Sequence, residues 1–219
     1  GGIGMKVIDL THTISEVMPV YPGTEPPKLE TANTYEKDGF RETLLTMFSH
    51  TGTHMDSPSH VFPGDYMTLD AFPAEQFVGQ ALVIDCTDLK EGDRIAMDRI
   101  MQVKELADQA DYLLFRMGWD TRWGQETYYN DYPYITDEVA QYMIDSKKKG
   151  VGLDVIGLDP IQDELLILHH KVLGTNRFVI IENLCNLDKV GKDLFLFCAL
   201  PLKFANSDGA PIRAIAILD

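Results

Sequence analysis

His50-Thr51-Gly52-Thr53-His54-Met55-Asp56-Ser57-Pro58-Ser59-His60 is the stretch whose reading decides the architecture of this chain. It gathers three of the six histidines and one carboxylate among small residues and a proline that do little packing. Imidazole nitrogens and carboxylate oxygens are the donors that a divalent ion takes. Such a cluster asks for a metal.

Three backbones can carry a His, a second His at i+4 and an Asp at i+6. On a helix the two histidines share a face, as in H-E-x-x-H sites, yet Thr-Gly-Thr between them is a poor helix former. On a regular strand, at about 3.3 Å per residue, they stand roughly 13 Å apart, too far for one ion with bonds of about 2.0–2.2 Å. The chain must therefore bend, and Gly52 permits it, while Pro58 fixes a second turn. The bend makes His50, His54 and Asp56 three N/N/O ligands with an open position for water, the arrangement of a catalytic site. His60 lies just beyond as a candidate base.

Around this stretch the chain has 219 residues, 45% hydrophobic and 24% charged, which suits one ordinary globular domain. A net charge of -15 argues against nucleic acid or an anionic membrane as partner and favours a small, neutral or weakly charged substrate. Cys86, Cys185 and Cys198, odd in number and far apart, read as free thiols of a cytoplasmic protein. Residues 1–4 (Gly-Gly-Ile-Gly) look like a cloning remnant, and no signal-peptide core or membrane-spanning run follows.

Met5–Thr11 reads as a strand, and Lys28–Tyr35 with Arg41–Ser49 as a hairpin turning at Asp38-Gly39. Ala74–Phe77 is a short helix, Ala81–Thr87 a buried strand, Asp98–Ala110 an amphipathic helix and Tyr112–Met117 a strand. Gly118–Pro133, aromatic and without period, reads as a surface loop or lid. Thr136 caps a helix that ends in Lys147-Lys148-Lys149-Gly150. Val151–Ile156, Arg177–Glu182, Phe195–Leu202 and Ile212–Leu218 are strands, with a helix over Glu164–Leu173 closed by Gly174. The result is a single α/β domain over residues 5–219.

The motif resembles H-x-G-T-H-x-D-x-P-x-H of the metal-dependent cyclase family, which includes bacterial kynurenine formamidases and isatin hydrolase. The resemblance extends to Asp9-Leu10-Thr11-His12, Pro19-Val20-Tyr21-Pro22-Gly23, Arg116-Met117-Gly118-Trp119, Pro201-Leu202-Lys203 and Asp208-Gly209-Ala210-Pro211. It implies a swivelling β/β/α fold with a mixed sheet core and flanking helices, a homodimer or higher oligomer, and one or two zinc or manganese ions. It also implies a second ligand pair, a His and a Glu twelve residues apart, matched by His170 and Glu182; His169, at thirteen, fits less well. A family Thr-Pro-Ser segment is replaced by Gly157-Leu158-Asp159-Pro160-Ile161-Gln162-Asp163, a difference that bears on substrate more than on metal.

The expected reaction is hydrolysis of a small amide, an arylformamide such as N-formylkynurenine or a cyclic amide, imide or lactone, with His60 as general base and acid. Tyr21 and Phe62 are the first candidates for aromatic pocket walls, ahead of Phe40, Trp119 and Trp123. Two other readings share the ligand set: a mononuclear iron(II) oxygenase, and a metal or small-molecule binding protein without catalysis.

Overall fold

The structure, a computed structural model, describes residues 4–219, so most of the Gly1–Gly4 remnant lies outside the described residues. Strand β1 (Lys6–Asp9) is followed by a ribbon of β2 (Lys28–Asn33) and β3 (Glu42–Thr46), with the one-turn helix α1 (Tyr35–Asp38) at its tip. The histidine motif supplies β4 (His54–Asp56). Then come β5 (Val78–Asp85), β6 (Arg94–Ile95), α2 (Met97–Met101), α3 (Lys104–Gln109), β7 (Tyr112–Arg116), β8 (Tyr134–Ile135) and α4 (Asp137–Asp145). The last elements are β9 (Gly150–Leu153), α5 (Ile167–Leu173), β10 (Val179–Glu182), β11 (Phe195–Pro201) and β12 (Gly209–Leu218).

Eight strands form one mixed sheet in the order β1-β12-β11-β5-β7-β9-β10-β4, and a further β12–β4 pairing closes it on itself. Strands β5, β7, β9 and β10 run parallel, as crossover helices require. Alternation along each strand then divides the interior in two. Along β7, Tyr112 and Leu114 point into the closed sheet with Met55, Ile181 and Phe197, while Leu113 and Phe115 point out to the helices with Val151 and Val139. This is the mixed sheet core with flanking helices that the resemblance implied. Among the described residues no helix is long and apolar enough to cross a membrane, and all three cysteines are unpaired.

Several local expectations change. The helix over Asp98–Ala110 is two short ones, because Val103 leaves the helical region at φ -128 between them. The Gly118–Pro133 segment is a surface segment pinned by its aromatics rather than a lid: Trp119, Tyr128 and Tyr132 are buried against the helical layer, while Thr121, Gly124–Thr127, Asn130 and Asp131 stay exposed. Thr136 does cap α4, accepting from Val139 N, but that helix stops at Asp145 and its lysines are not its C-terminus. Lys147 turns into the left-handed region at φ 56, and Gly150 opens β9.

Lys148 is only 2% exposed. Its ammonium donates to the carbonyls of Ala107 (2.5 Å), Ala110 (2.6 Å) and Asp108 (3.4 Å), closing the C-terminus of α3. Lys148→Met keeps the apolar stem and orphans these acceptors. It is expected to cost about 2–3 kcal/mol, read as a lower urea midpoint at unchanged slope. A wild-type midpoint would show that the carbonyls find other partners.

Candidate metal centre

The motif's geometry begins at Gly52, whose φ of 62 turns the chain so that His50 and His54 approach instead of standing a strand-length apart. Their rings meet edge to face at 5.2 Å. Buried Asn183 holds the bend from across the sheet: its Nδ2 donates to Gly52 O (2.8 Å), its carbonyl accepts from Thr53 Oγ1 (2.6 Å), and its Oδ1 accepts from Tyr128 (2.7 Å).

Beyond the bend, β4 places His54 and Asp56 on one face and Met55 on the other, in the core. The register sets His54 opposite Glu182 of β10 and Asp56 opposite Gly209 of β12. Directly opposite side chains on antiparallel strands are near neighbours. Glycine is required at 209 because any Cβ there would run into the His50 ring.

Four side chains converge where these strands meet. His54 Nε2 is 3.2 Å from Asp56 Oδ1 and 3.0 Å from Glu182 Oε1. His169 Nε2, from α5, is 3.3 Å from both Asp56 Oδ2 and Glu182 Oε2. His54 Nδ1 is committed to Gly52 O (2.7 Å) and His169 Nδ1 to Asp159 Oδ2 (2.6 Å), so in the neutral tautomers both Nε2 atoms present lone pairs to carboxylates. Such an arrangement holds together only around a cation. Atoms bound at about 2.1 Å to one ion stand about 3.0–3.4 Å from one another, the spacing of these four nitrogen–oxygen contacts, and His54, Asp56 and Glu182 each offer one donor atom within 4.8 Å of the others. His54 Nε2 and Asp56 Oδ2 are also buried without a hydrogen-bond partner. The donor set fits a divalent ion of the zinc or manganese type.

Ring protons are the other cations that could serve here, and the pKa shifts show how strongly the site wants positive charge. Burial disfavours charging His54, yet hydrogen bonds to Asp56 and Glu182 push it up to about 10. Partial burial works against charging His50 too, yet Asp56 and Asp208 push it up to about 9. Burial and Asp56 work to raise Glu182, but His169 and His54 hold it at about 2. Asp56 lies well below the ordinary carboxylate range despite its burial, because His50, His169 and His54 surround it.

His50 and His60 form the outer part of the site. His50 contacts Asp56 Oδ1 through Nδ1 (2.7 Å) and Asp208 Oδ2 through Nε2 (3.0 Å). His60 packs on its ring at 3.8 Å and turns Nδ1 toward Asp208 at 4.0 Å. Burial, the largest effect on His60, pushes its pKa down. His50, Asp56 and His60 present donor atoms within 4.8 Å of one another, as do His54, Asp56 and Glu182.

The structure corrects two expected residues. His170 is exposed, donates to Leu166 O (2.9 Å) and meets Phe62 edge-on, away from the cluster. Consecutive helical residues point about 100° apart, so only one of this pair can face Glu182, and it is His169. Phe62 stacks on Tyr66 at 4.5 Å and does not line the cavity, nor do Phe40, Trp119 and Trp123; Tyr21 does. That cavity, about 720 Å³, is lined by His50, His54, His60, His169 and Glu182, with Val20, Tyr21, Phe48, Ile161 and Leu166 among its apolar walls.

Asp159, Asp208 and Asn183 were missed as site residues. Asp159 accepts from the backbone of Leu168 (2.8 Å) and His169 (2.9 Å) as well as from the His169 ring, so it both caps α5 and orients a ligand. An Asp-Pro ten residues before a histidine was the available signal. Asp159→Asn keeps the cap oxygen but weakens the hold on Nδ1, and is expected to lower metal affinity about 10–100-fold in a chelator competition. Unchanged affinity would reduce Asp159 to a helix cap.

A family model described as "Putative cyclase" matches residues 8–160. The kynurenine formamidase of Geobacillus thermodenitrificans (strain NG80-2) is 32% identical over 211 residues, covering 94% of this chain and 95% of that protein. Isatin hydrolase A from Labrenzia aggregata, solved bound to benzyl benzoate, superposes with a TM-score of 0.86 at 25% identity over 98% of this chain and 94% of that one. A structure from Bacillus stearothermophilus described as a "predicted metal-dependent hydrolase" does so at 0.78 and 28%, over 98% of each chain.

Proposed function

The chain belongs to the cyclase family, and from that membership we propose that residues 5–219 act as one metal-dependent hydrolase domain cleaving the C–N bond of a small amide. Kynurenine formamidase and isatin hydrolase relatives support an arylformamide or cyclic amide as substrate. The observation that carries the reading is the set of contacts of 3.0–3.3 Å among His54, His169, Asp56 and Glu182, three of which (His54, His169 and Glu182) line the cavity.

These four residues would hold zinc or manganese, with His50 at the edge where a second ion could share Asp56. A divalent ion supplies Lewis acidity, lowering the pKa of a water from about 15.7 to about 7 and polarising the carbonyl. His60 takes the proton of the attacking water at Nε2, since its Nδ1 is turned to Asp208, and returns it to the leaving nitrogen. Tyr21, Phe48 and Leu166, which line the cavity, would offer apolar surface to an aromatic substrate. Two nitrogens and two carboxylates make one donor more than the iron(II) oxygenase face, which favours hydrolysis over that alternative.

A cytoplasmic homodimer completes the proposal. Ribbon β2–β3 is exposed on both faces, with Leu44 and Leu45 more than half exposed, and a lone two-stranded ribbon is marginal without cover. The test of function is metal analysis of untreated protein, then a panel including N-formylkynurenine and isatin. Chelation should abolish hydrolysis and zinc or manganese restore it. Metal-bound protein inert on formamides, cyclic imides and lactones would instead favour a binding protein.

A further inference from the structure

One wall of the cavity is a loop with few ties to the body of the protein. Residues 13–27 form no strand or helix, and Pro19, Pro22, Pro26 and Pro27 bring no backbone N–H to pair. Yet Pro19, Val20, Tyr21 and Pro22 line the cavity together with His54, His169 and Glu182. Among the described residues the loop's hydrogen bonds run within itself (Met18 to Ser15, Thr24 to Tyr21) or from Leu29 of β2 to Glu16, with one exception. The Tyr129 hydroxyl accepts from the Val20 N–H (3.1 Å) and donates to the Val20 carbonyl (2.9 Å), so one phenol satisfies both backbone polar groups of a single residue. Tyr129 is itself firmly set. It ends the one-turn segment Glu126–Tyr129, its neighbour Tyr128 is fully buried and donates to Asn183 (2.7 Å), and Trp123 stacks on His12 at 3.8 Å, where the loop begins.

Resting on the amide-hydrolase reading, we propose that Tyr129 is a positioning residue for specificity, holding Val20 so that Tyr21 forms a fixed wall for the ring of a flat aryl amide. Val20 and Tyr21 lie between two prolines of fixed φ, and Tyr21, preceding Pro22, is confined to extended backbone. Few torsions are left free, so a hold on Val20 also sets Tyr21. Met18, only 6% exposed, packs at the bend of the metal motif, where a Cβ on Gly52 would stand 3.2 Å from its Cε. The loop is therefore fixed at two points, by packing at Gly52 and by hydrogen bonds at Tyr129, which stands outside the cavity lining. A wall ordered in advance adds no ordering cost when the ring arrives, so its effect belongs to binding and not to the bond-breaking step.

Tyr129→Phe keeps the ring and removes only the hydroxyl. With metal-restored enzyme and formanilide, or isatin if that scaffold is the one hydrolysed, KM should rise about tenfold, the loss of about one net hydrogen bond, while kcat and bound metal per chain change little. Backbone amide exchange over residues 18–24 should quicken about tenfold, a readout independent of turnover. Tyr21→Ala should raise KM similarly, and adding Tyr129→Phe to it should raise KM no further, because both act through one wall. Unchanged KM or unchanged loop exchange in Tyr129→Phe, or additive effects in the double variant, overturns the inference while leaving the hydrolase reading standing. No hydrolysis on either scaffold sinks that reading and the inference with it.

Discussion

Replacing Asp56 by alanine is expected to abolish metal binding and turnover together. Asp56 is fully buried and touches three histidines of the centre: His50 at 2.7 Å and His54 at 3.2 Å through Oδ1, and His169 at 3.3 Å through Oδ2. It belongs to both groups of donor atoms within reach of a single ion, so no position in the site keeps a full ligand set without it. Its backbone stays paired with Ile180 and Gly209, so the fold should persist, checked by far-UV circular dichroism. The measurement is bound metal per chain in the folded variant, with amide hydrolysis alongside. Full occupancy would remove Asp56 from the ligand set.

His60→Ala is the second large effect, and it should separate what Asp56→Ala joins. If His60 carries protons, kcat falls about 10²–10⁴-fold while metal content and KM change little. The geometry allows a competing role, because His60 also stands with His50 and Asp56 within ligand distance. Loss of metal from the variant would make it a ligand, and an unchanged kcat would leave it without a part in the reaction. The residual rate should no longer show the acidic limb that a titrating base imposes.

Much of the site was legible because it is local. His50, His54, Asp56 and His60 lie in one stretch, and a chain-length argument about strand rise was enough to require a bend at Gly52; the φ of 62 there is that bend. Strands with compact apolar runs, such as Tyr112–Arg116 and Val179–Glu182, lie within a residue or two of where their composition places them. The motif's own strand, only three residues long, was illegible, since its polar sequence carries no strand signal and its pairing comes from β10 and β12.

The misses share that cause. Lysines 147–149 look like the end of a helix in sequence, yet Lys148 serves α3, 38–41 residues earlier in the chain. Aromatic residues 119–132 look like those of a lid because their burial against the helical layer has no period.

The chain's residues alone, then, determined that histidines and a carboxylate able to hold a divalent ion cluster at 50–60 within a mixed α/β fold, because spacing inside one short segment is set by covalent geometry. Which of two adjacent histidines joins Glu182 and which carboxylate orients it were decided by tertiary structure alone. They depend on the rotation of α5 against β10 and on the loop that carries Asp159, and rotation about a helix axis is fixed by packing.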